Sequence, residues 1–484
     1  MLSSESAKKR ASCGVSTTVS IRRNTIQRAF GAKSDAKEIF CSECLAASGC
    51  RACTKEGTTA SSRSAYDASC QTIRSRQEAE RIAMFTIEGS HGTAACYATN
   101  IEDACIEQIR TMLDMPFAEG ANTAIMPDAH YGIGCTIGTT MRVTDAVVPN
   151  LVGVDIGCGM LTADLGHKPI DLPAFDEACH EIPSGARIWD GRKEPFDLEE
   201  LRCYRELKDV KRLKRSLGTL GGGNHFIEID AASDGMQRLV IHSGSRNLGL
   251  QVANYYQSLA VDLHSGKEGF FERKQELIGS YKAAGRRDEI EAALKELAAQ
   301  YQSAEPDVPA DLCWLYGKYM DDYLHDVDVC QGFALRNRER MMVEILARTG
   351  LDASSEFHTI HNYIDVGEMV LRKGAIAAHA GETVLIPLNM RDGSIIAKGR
   401  GNEAWNDSAP HGAGRVMSRR EARESLRMKD YRAAMSGIYS TSVSERTIDE
   451  APGAYKPVED IIGPIAESVD IIDVMRPIYN FKAS

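Results

Sequence analysis

Short apolar runs punctuated by glycine recur along the chain from about Arg81 onward. The runs Thr136 to Val143, Leu151 to Leu165, Arg238 to His242, Met369 to Ala378 and Thr383 to Leu388 have the length and texture of strands. Two longer segments, Gly269 to Tyr301 and Asp311 to Leu346, space apolar positions at helical intervals among charged ones and contain few breakers. They predict helices on the outside of a sheet core. No internal repeat and no Pro- or Ser-rich linker divides the body. The pattern therefore predicts an α+β fold in which residues 81–484 form one large domain of mixed sheets with flanking helices.

Residues 1–80 differ in texture, being rich in Ser, Thr, Ala and Arg. Between Met1 and Lys33 the only acid is Glu5, against seven Lys or Arg. That composition predicts a disordered extension, with an organelle-import signal as the alternative. Within it Cys41, Cys44, Cys50 and Cys53 form two CxxC pairs able to enclose zinc, although the five-residue loop between them is shorter than in zinc ribbons. Free thiols in a tail are the competing reading.

Composition narrows the class. With 43% hydrophobic and 26% charged residues over 484 positions the chain is globular in character. No stretch approaches the ~20 apolar residues needed to span a bilayer, so no membrane is expected. A net charge of −11 argues against broad coating of nucleic acid. It leaves room for a local basic run, Lys208, Lys211, Arg212, Lys214 and Arg215, which reads equally as an RNA-tracking strip and as a solvated helix face. Fourteen cysteines spread along the chain without a signal-peptide pattern point to a reduced, cytoplasmic protein.

Most of the candidate ligands lie at strand ends or in glycine-rich turns, where backbone can be shaped around an ion or a phosphate. Gly153 to Met160 brings Asp155 and Cys158 three residues apart beside glycines; alone, such a DxxC is more often structural. Gly221 to Glu228 delivers Asn224, His225 and Glu228 from three glycines. Ile241 to Arg246 ends an apolar run with His242, two serines and Arg246, a set suited to a metal beside a phosphate. In His358 to Tyr363 the ligand candidate is His361, beside polar Asn362, while His358 reads equally as a hydrogen-bonded, partly buried histidine. One carboxylate, one thiolate and three imidazoles favour Mn, Fe or Zn over Mg without choosing among the three. In Ser408 to Arg415, glycines follow His411 and allow amides to approach a phosphate that Arg415 can neutralise. A histidine so held can be a nucleophile at phosphorus.

Seven motifs in order, MPDAHYGIG from Met126, VGVDIGCGM, LGGGNHFIE, IHSGSR, IHNY, APHGAGR and APGAYK from Ala451, resemble those of the RtcB family of RNA ligases over about residues 85–484. The resemblance implies an RtcB-like fold around two manganese ions held by Asp155, Cys158, His225, His242 and His361, with the Cys158 thiolate shared. It implies that His411 carries GMP from GTP, with guanine-nucleotide contacts at Asn224, Glu228, Tyr455 and Lys482, and with Arg246 on an RNA phosphate. Asp128 and His130 would line the site. The substrate it implies is RNA with a 3′-phosphate or 2′,3′-cyclic phosphate end and a 5′-hydroxyl end, joined in tRNA splicing or RNA repair. At Pro387 to Ser394 many members have Pro-Gly-Ser-Met, so this chain resembles a divergent branch, in which Asn389 and Ser394 become the candidate nucleotide-lining residues.

Two other readings use the same ligands. A dinuclear phosphoesterase would hydrolyse RNA ends but has no need of a nucleotide-carrying histidine in HGAGR. A non-catalytic RNA-binding scaffold with a structural metal would close the coordination shell, whereas five ligands over two ions leave positions open.

Overall fold

In the computed structural model, which describes residues 84–483 apart from 99, 302 and 303, the apolar runs assemble into two main sheets. One has seven strands, all antiparallel, in the order Glu356–Ile360, Gly159–Gly166, Gln237–Ser243, Phe226–Ala231, Val469–Lys482, Gly393–Gly399 and Thr383–Asn389. The other has six strands and is mixed, since Thr93–Cys96 and Thr123–His130 run parallel and the remaining neighbours antiparallel. The fold is α+β, with helices outside the sheets. The extension before residue 81 and its four-cysteine motif lie outside the described residues. Among the described residues eight cysteines are free and buried, and no helix is long and apolar enough to cross a membrane.

The long helix Gly317–Thr349 shows how the sequence builds the core. Met320, Tyr323, Val327, Cys330 and Phe333 recur at three- and four-residue intervals and pack into the core that also holds Ile125 and Val252. Met341, Met342 and Ile345 continue the stripe into a second core against the seven-stranded sheet, with Leu161, Ile227 and Ile241. Asn337 and Arg338 lie on the same buried stripe between the two, so the helix has polar groups where it crosses the site loops.

Several expected elements depart from their patterns. The segment Gly269 to Tyr301 is not one helix but two, Glu268–Ala283 and Ile290–Ala299. The chain turns between them at Gly285, whose φ of +75° no helix accommodates. Leu151 to Leu165 becomes a strand only from Gly159, because Gly153 and Gly157 take positive φ and loop the chain out. The long helix starts six residues later than expected, at Gly317, after a short strand Leu315–Tyr316.

Candidate functional site

Four of the five ligand candidates sit at one end of the seven-stranded sheet. Cys158 immediately precedes Gly159–Gly166, His225 precedes Phe226–Ala231, His361 follows Glu356–Ile360, and His242 lies in Gln237–Ser243. Strand register brings them together: His242 pairs with both Met160 and Phe226, and Ile360 pairs with Gly159. The His361 amide donates to the Cys158 carbonyl at 2.9 Å, and the Gly157 amide to the Asn362 carbonyl at 2.7 Å. From the long helix, Asn337 accepts from the amides of Gly218 and Thr219 and donates to the Gly244 carbonyl. Arg338 donates to the carbonyls of Gly157 and Ser243, both at 2.8 Å. The glycine loops are thus pinned from behind, which fixes the side chains they carry.

The ligand atoms form two triads that share one sulfur. Cys158 Sγ lies 3.3 Å from Nε2 of His225 and 3.3 Å from Nε2 of His242. Asp155 Oδ2 is 2.9 Å from His225 Nε2, and His361 Nε2 is 3.3 Å from His242 Nε2. Asp155, Cys158 and His225 make one group and Cys158, His242 and His361 the other, each with its ligand atoms within 4.8 Å of one another. Burial pushes the Cys158 thiol well above its ordinary value, with Asp155 adding to the shift, and pushes His242 and His361 well below theirs. Burial also raises Asp155 and is the largest single influence, but the hydrogen bond and charge of His225, the Cys158 hydrogen bond and the Arg246 charge together outweigh it and the net shift is downward. A divalent cation draws the buried thiol to thiolate and uses imidazoles in the neutral form that burial already favours. His225 has its Nδ1 bonded to the Leu220 carbonyl at 2.9 Å, which directs Nε2 to the cluster as a ligand requires. The donor set therefore fits borderline divalent metal ions, with Cys158 common to both triads.

Two glycines are demanded by this crowding. A Cβ on Gly244 would lie 2.2 Å from Asp155 Oδ1. Gly221, at φ +91°, would place one 2.1 Å from Arg246 Nη1 and 2.3 Å from His225 Nδ1. Neither position admits alanine without moving a candidate ligand.

His411 stands beside the second triad, its ring centroid 5.1 Å from that of His361. Its Nδ1 is 2.7 Å from Oδ2 of Asp128, a carboxylate fully buried in strand Thr123–His130. The carboxylate selects the tautomer with the proton on Nδ1 and leaves the Nε2 lone pair free. His130 stacks on His411 at 6.4 Å, and its Nδ1 contacts the Asp128 carbonyl.

A cavity of about 530 Å³ joins this histidine to Asn224, Glu228, Asn389, Tyr455 and Lys482. Behind four of the lining residues, buried Glu450 receives Lys482 Nζ at 2.6 Å, the Tyr455 hydroxyl at 2.7 Å and Arg419 at 2.6 Å, with Arg415 at 3.4 Å. Burial alone would raise Glu450, yet Lys482 and Arg419 bring it down to about 2. Arg415 also lies over the Tyr455 ring, 5.1 Å from its centroid. Glu228 is buried and raised well above the usual carboxylate range by burial and by Asp230, two residues along the same strand; Asn480 donates to it.

Some expected residues sit differently. Ser394 is fully buried within its strand, between the paired residues Pro387 and Met475, and is not among the residues that line the cavity. Asn389 reaches the wall but uses its side chain to close its own hairpin, donating to Asp392 and accepting from the Arg391 amide. Arg246 takes a φ of +59° and donates to Thr219 Oγ1 and to the Gly185 carbonyl, behind the first triad. His358 lies apart from the two triads, 4.0 Å from Glu339, with its Nδ1 unpartnered and burial holding it down to about 3. In the basic run Arg212 bonds the Ala186 carbonyl, Arg215 the Trp189 carbonyl, and Lys214 faces Glu199. Sequence reasoning gave no role to Asp128 and passed over Glu450, Asn480, Asn337 and Arg338. Only Asp128 carried a signal, its place in a motif with His130.

A sequence model of the family described as tRNA-splicing ligase RtcB matches residues 108–202 and 199–483. The RNA-splicing ligase RtcB of Escherichia coli strain K12 is 30% identical over 429 residues, covering 79% of this chain and 95% of the relative. The tRNA-splicing ligases RtcB of Aeropyrum pernix and Thermococcus kodakarensis are each 27% identical, over 472 and 464 residues; both cover 78% of this chain, with 93% and 92% of the relatives.

Proposed function

The chain belongs to the RtcB family, and from that membership and the geometry above we propose that it is an RNA ligase that carries GMP on His411. The RNA it joins ends in a 3′-phosphate, or a 2′,3′-cyclic phosphate opened first by water, on one fragment and a 5′-hydroxyl on the other. The observation that carries the reading is His411 itself, oriented by a buried carboxylate and opening into the cavity lined by the candidate nucleotide residues. A phosphoesterase needs no such nucleophile.

In this reading His411 Nε2 attacks the α-phosphorus of GTP. An N–P bond forms, the bond to pyrophosphate breaks, and Asp128 holds the Nδ1 proton and stabilises the charge that develops on the ring. GMP then passes from the imidazole to the RNA 3′-phosphate, giving RNA(3′)ppG. The 5′-hydroxyl attacks that activated phosphorus and GMP leaves as the phosphodiester forms. Asp155, Cys158, His225, His242 and His361 are the residues that would hold two manganese ions, which when bound offset charge on phosphoryl oxygens. Lys482 and Tyr455 line the nucleotide cavity and are held by the buried Glu450, and Asn480 steadies Glu228 there.

The test is to incubate the protein with α-labelled GTP and manganese. Label should attach to protein, be lost in acid and survive alkali, as a phosphoramidate does. His411→Gln should remove labelling and joining, retain its metals, and still join RNA that already carries a 3′-ppG end. A wild type that never labels but cleaves RNA phosphoesters would instead establish the hydrolase.

A further inference from the structure

The two most exposed large apolar residues of the described chain are Ile133 and Tyr131, 67% and 60% accessible, and both line the mouth of the His411 cavity. Val154, 44% accessible, lines it as well. Exposed apolar side chains scattered singly need no explanation, but three on one rim do.

Their backbones are held firmly. Gln108 brackets Gly132, donating to its carbonyl and accepting from its amide. Lys373, itself buried, donates to the carbonyls of Ile133 and Asn150 and so ties together the loop bearing Tyr131 and Ile133 and the one leading to Val154. The two loops touch so closely that a Cβ on Gly134 would lie 2.9 Å from Asn150 Cβ. A rigid backbone with its apolar side chains turned to water is a prepared contact surface, because little ordering remains to oppose binding.

We propose that Tyr131, Ile133 and Val154 form a platform on which an unpaired base at an RNA end stacks while its phosphate or hydroxyl reaches His411 and the metal cluster. The proposal rests on the RNA-ligase reading. Its argument is position: Tyr131 adjoins His130, which stacks on His411, and Val154 adjoins Asp155, so the rim flanks both the nucleophile and a metal ligand. A reacting end extends from those groups across this rim. A nucleobase presents a flat apolar face that suits an aromatic ring with aliphatic neighbours, and such stacking tolerates any base.

The experiment is a protein–RNA cycle on the full chain. Tyr131→Ala should raise the KM for RNA about 5- to 150-fold, the range that one lost base–aromatic stack implies, and Tyr131→Trp should restore it. RNAs with an abasic nucleotide at the 3′-phosphate end, and separately at the 5′-hydroxyl end, identify the stacked base. With the correct abasic end the wild type should show the raised KM, and Tyr131→Ala should raise it no further. If the alanine and abasic effects multiply independently at both ends, Tyr131 does not stack on a terminal base and the proposal fails; if Tyr131→Ala leaves the KM unchanged, the platform does not bind RNA and serves another partner such as a protein. If the wild type joins no RNA at all, the ligase reading falls first.

Discussion

Removing the Asp128 carboxylate is the sharpest probe of how His411 is made reactive. The 2.7 Å contact between Asp128 Oδ2 and His411 Nδ1 joins a fully buried carboxylate to a ring that keeps about a fifth of its surface exposed. Water does not compete for the carboxylate, so a charge-assisted bond of about 1.5–3 kcal/mol is the relevant magnitude. At ~1.4 kcal/mol per decade, Asp128→Ala should slow GMP transfer to the enzyme about 10- to 150-fold. Asp128→Asn should be no milder. Its amide nitrogen can donate to Nδ1, which moves the ring proton to Nε2 and removes the attacking lone pair. The assay is the single-turnover rate of labelling from α-labelled GTP, with manganese content measured on the same sample. Joining of RNA already carrying a 3′-ppG end should fall far less, because that reaction no longer needs His411 as a nucleophile. Wild-type labelling rates in both variants, with metals retained, would refute the orienting role.

Two further outcomes follow from the site. Cys158→Ser should lower manganese content at both positions, whereas Asp155→Ala and His361→Ala should each lose chiefly one ion, since only the sulfur belongs to both triads; equal stoichiometry in all three variants would contradict the sharing. Glu450 has a folded pKa of about 2, below its ordinary 4.5, so its stabilising contribution is complete above about pH 4.5 and is lost as pH falls through about 2. The stability gap between wild type and Glu450→Gln, on the order of 3 kcal/mol near neutrality from a shift of that size, should therefore shrink in urea titrations as pH is lowered over that window. A constant gap would mean the carboxylate is not held by Lys482 and Arg419.

What was legible in the sequence is what local pattern encodes. Asp155, Cys158, His225 and His242 sit in short motifs whose glycines announce tight backbone, His361 sits in one without glycine, and the structure brings all five together. The strand end at His361 was readable from its alternation. Long-range partners were not readable: Asp128 meets His411 across 283 residues, and Asn480 meets Glu228 across 252. Nothing near either carboxylate in the chain reveals which side chain will face it. The Glu450 group is hidden for the same reason, and further because a buried acid reads as a surface one until its cations are seen around it. The misplacement of Ser394 has a different cause. A motif that departs from its family carries composition, but which of its residues the packed sheet buries completely is set by distant segments of the chain.

The strand Val469–Lys482 lies inside the seven-stranded sheet, with Asn480 opposite Glu228 and Lys482 opposite Phe226. This arrangement sets a schedule for synthesis. Phe226–Ala231 leaves the ribosome roughly 10 to 50 s before its partner if elongation runs at about 5–20 residues per second across the intervening 252 residues. Through that interval the half-built sheet presents an unpaired edge, the kind of surface that invites aggregation. A polypeptide cut short before Val469 lacks Asn480 and Lys482 from the lining of the His411 cavity and leaves that edge open. A message broken upstream of that strand would therefore yield a chain with an incomplete site and an open sheet edge.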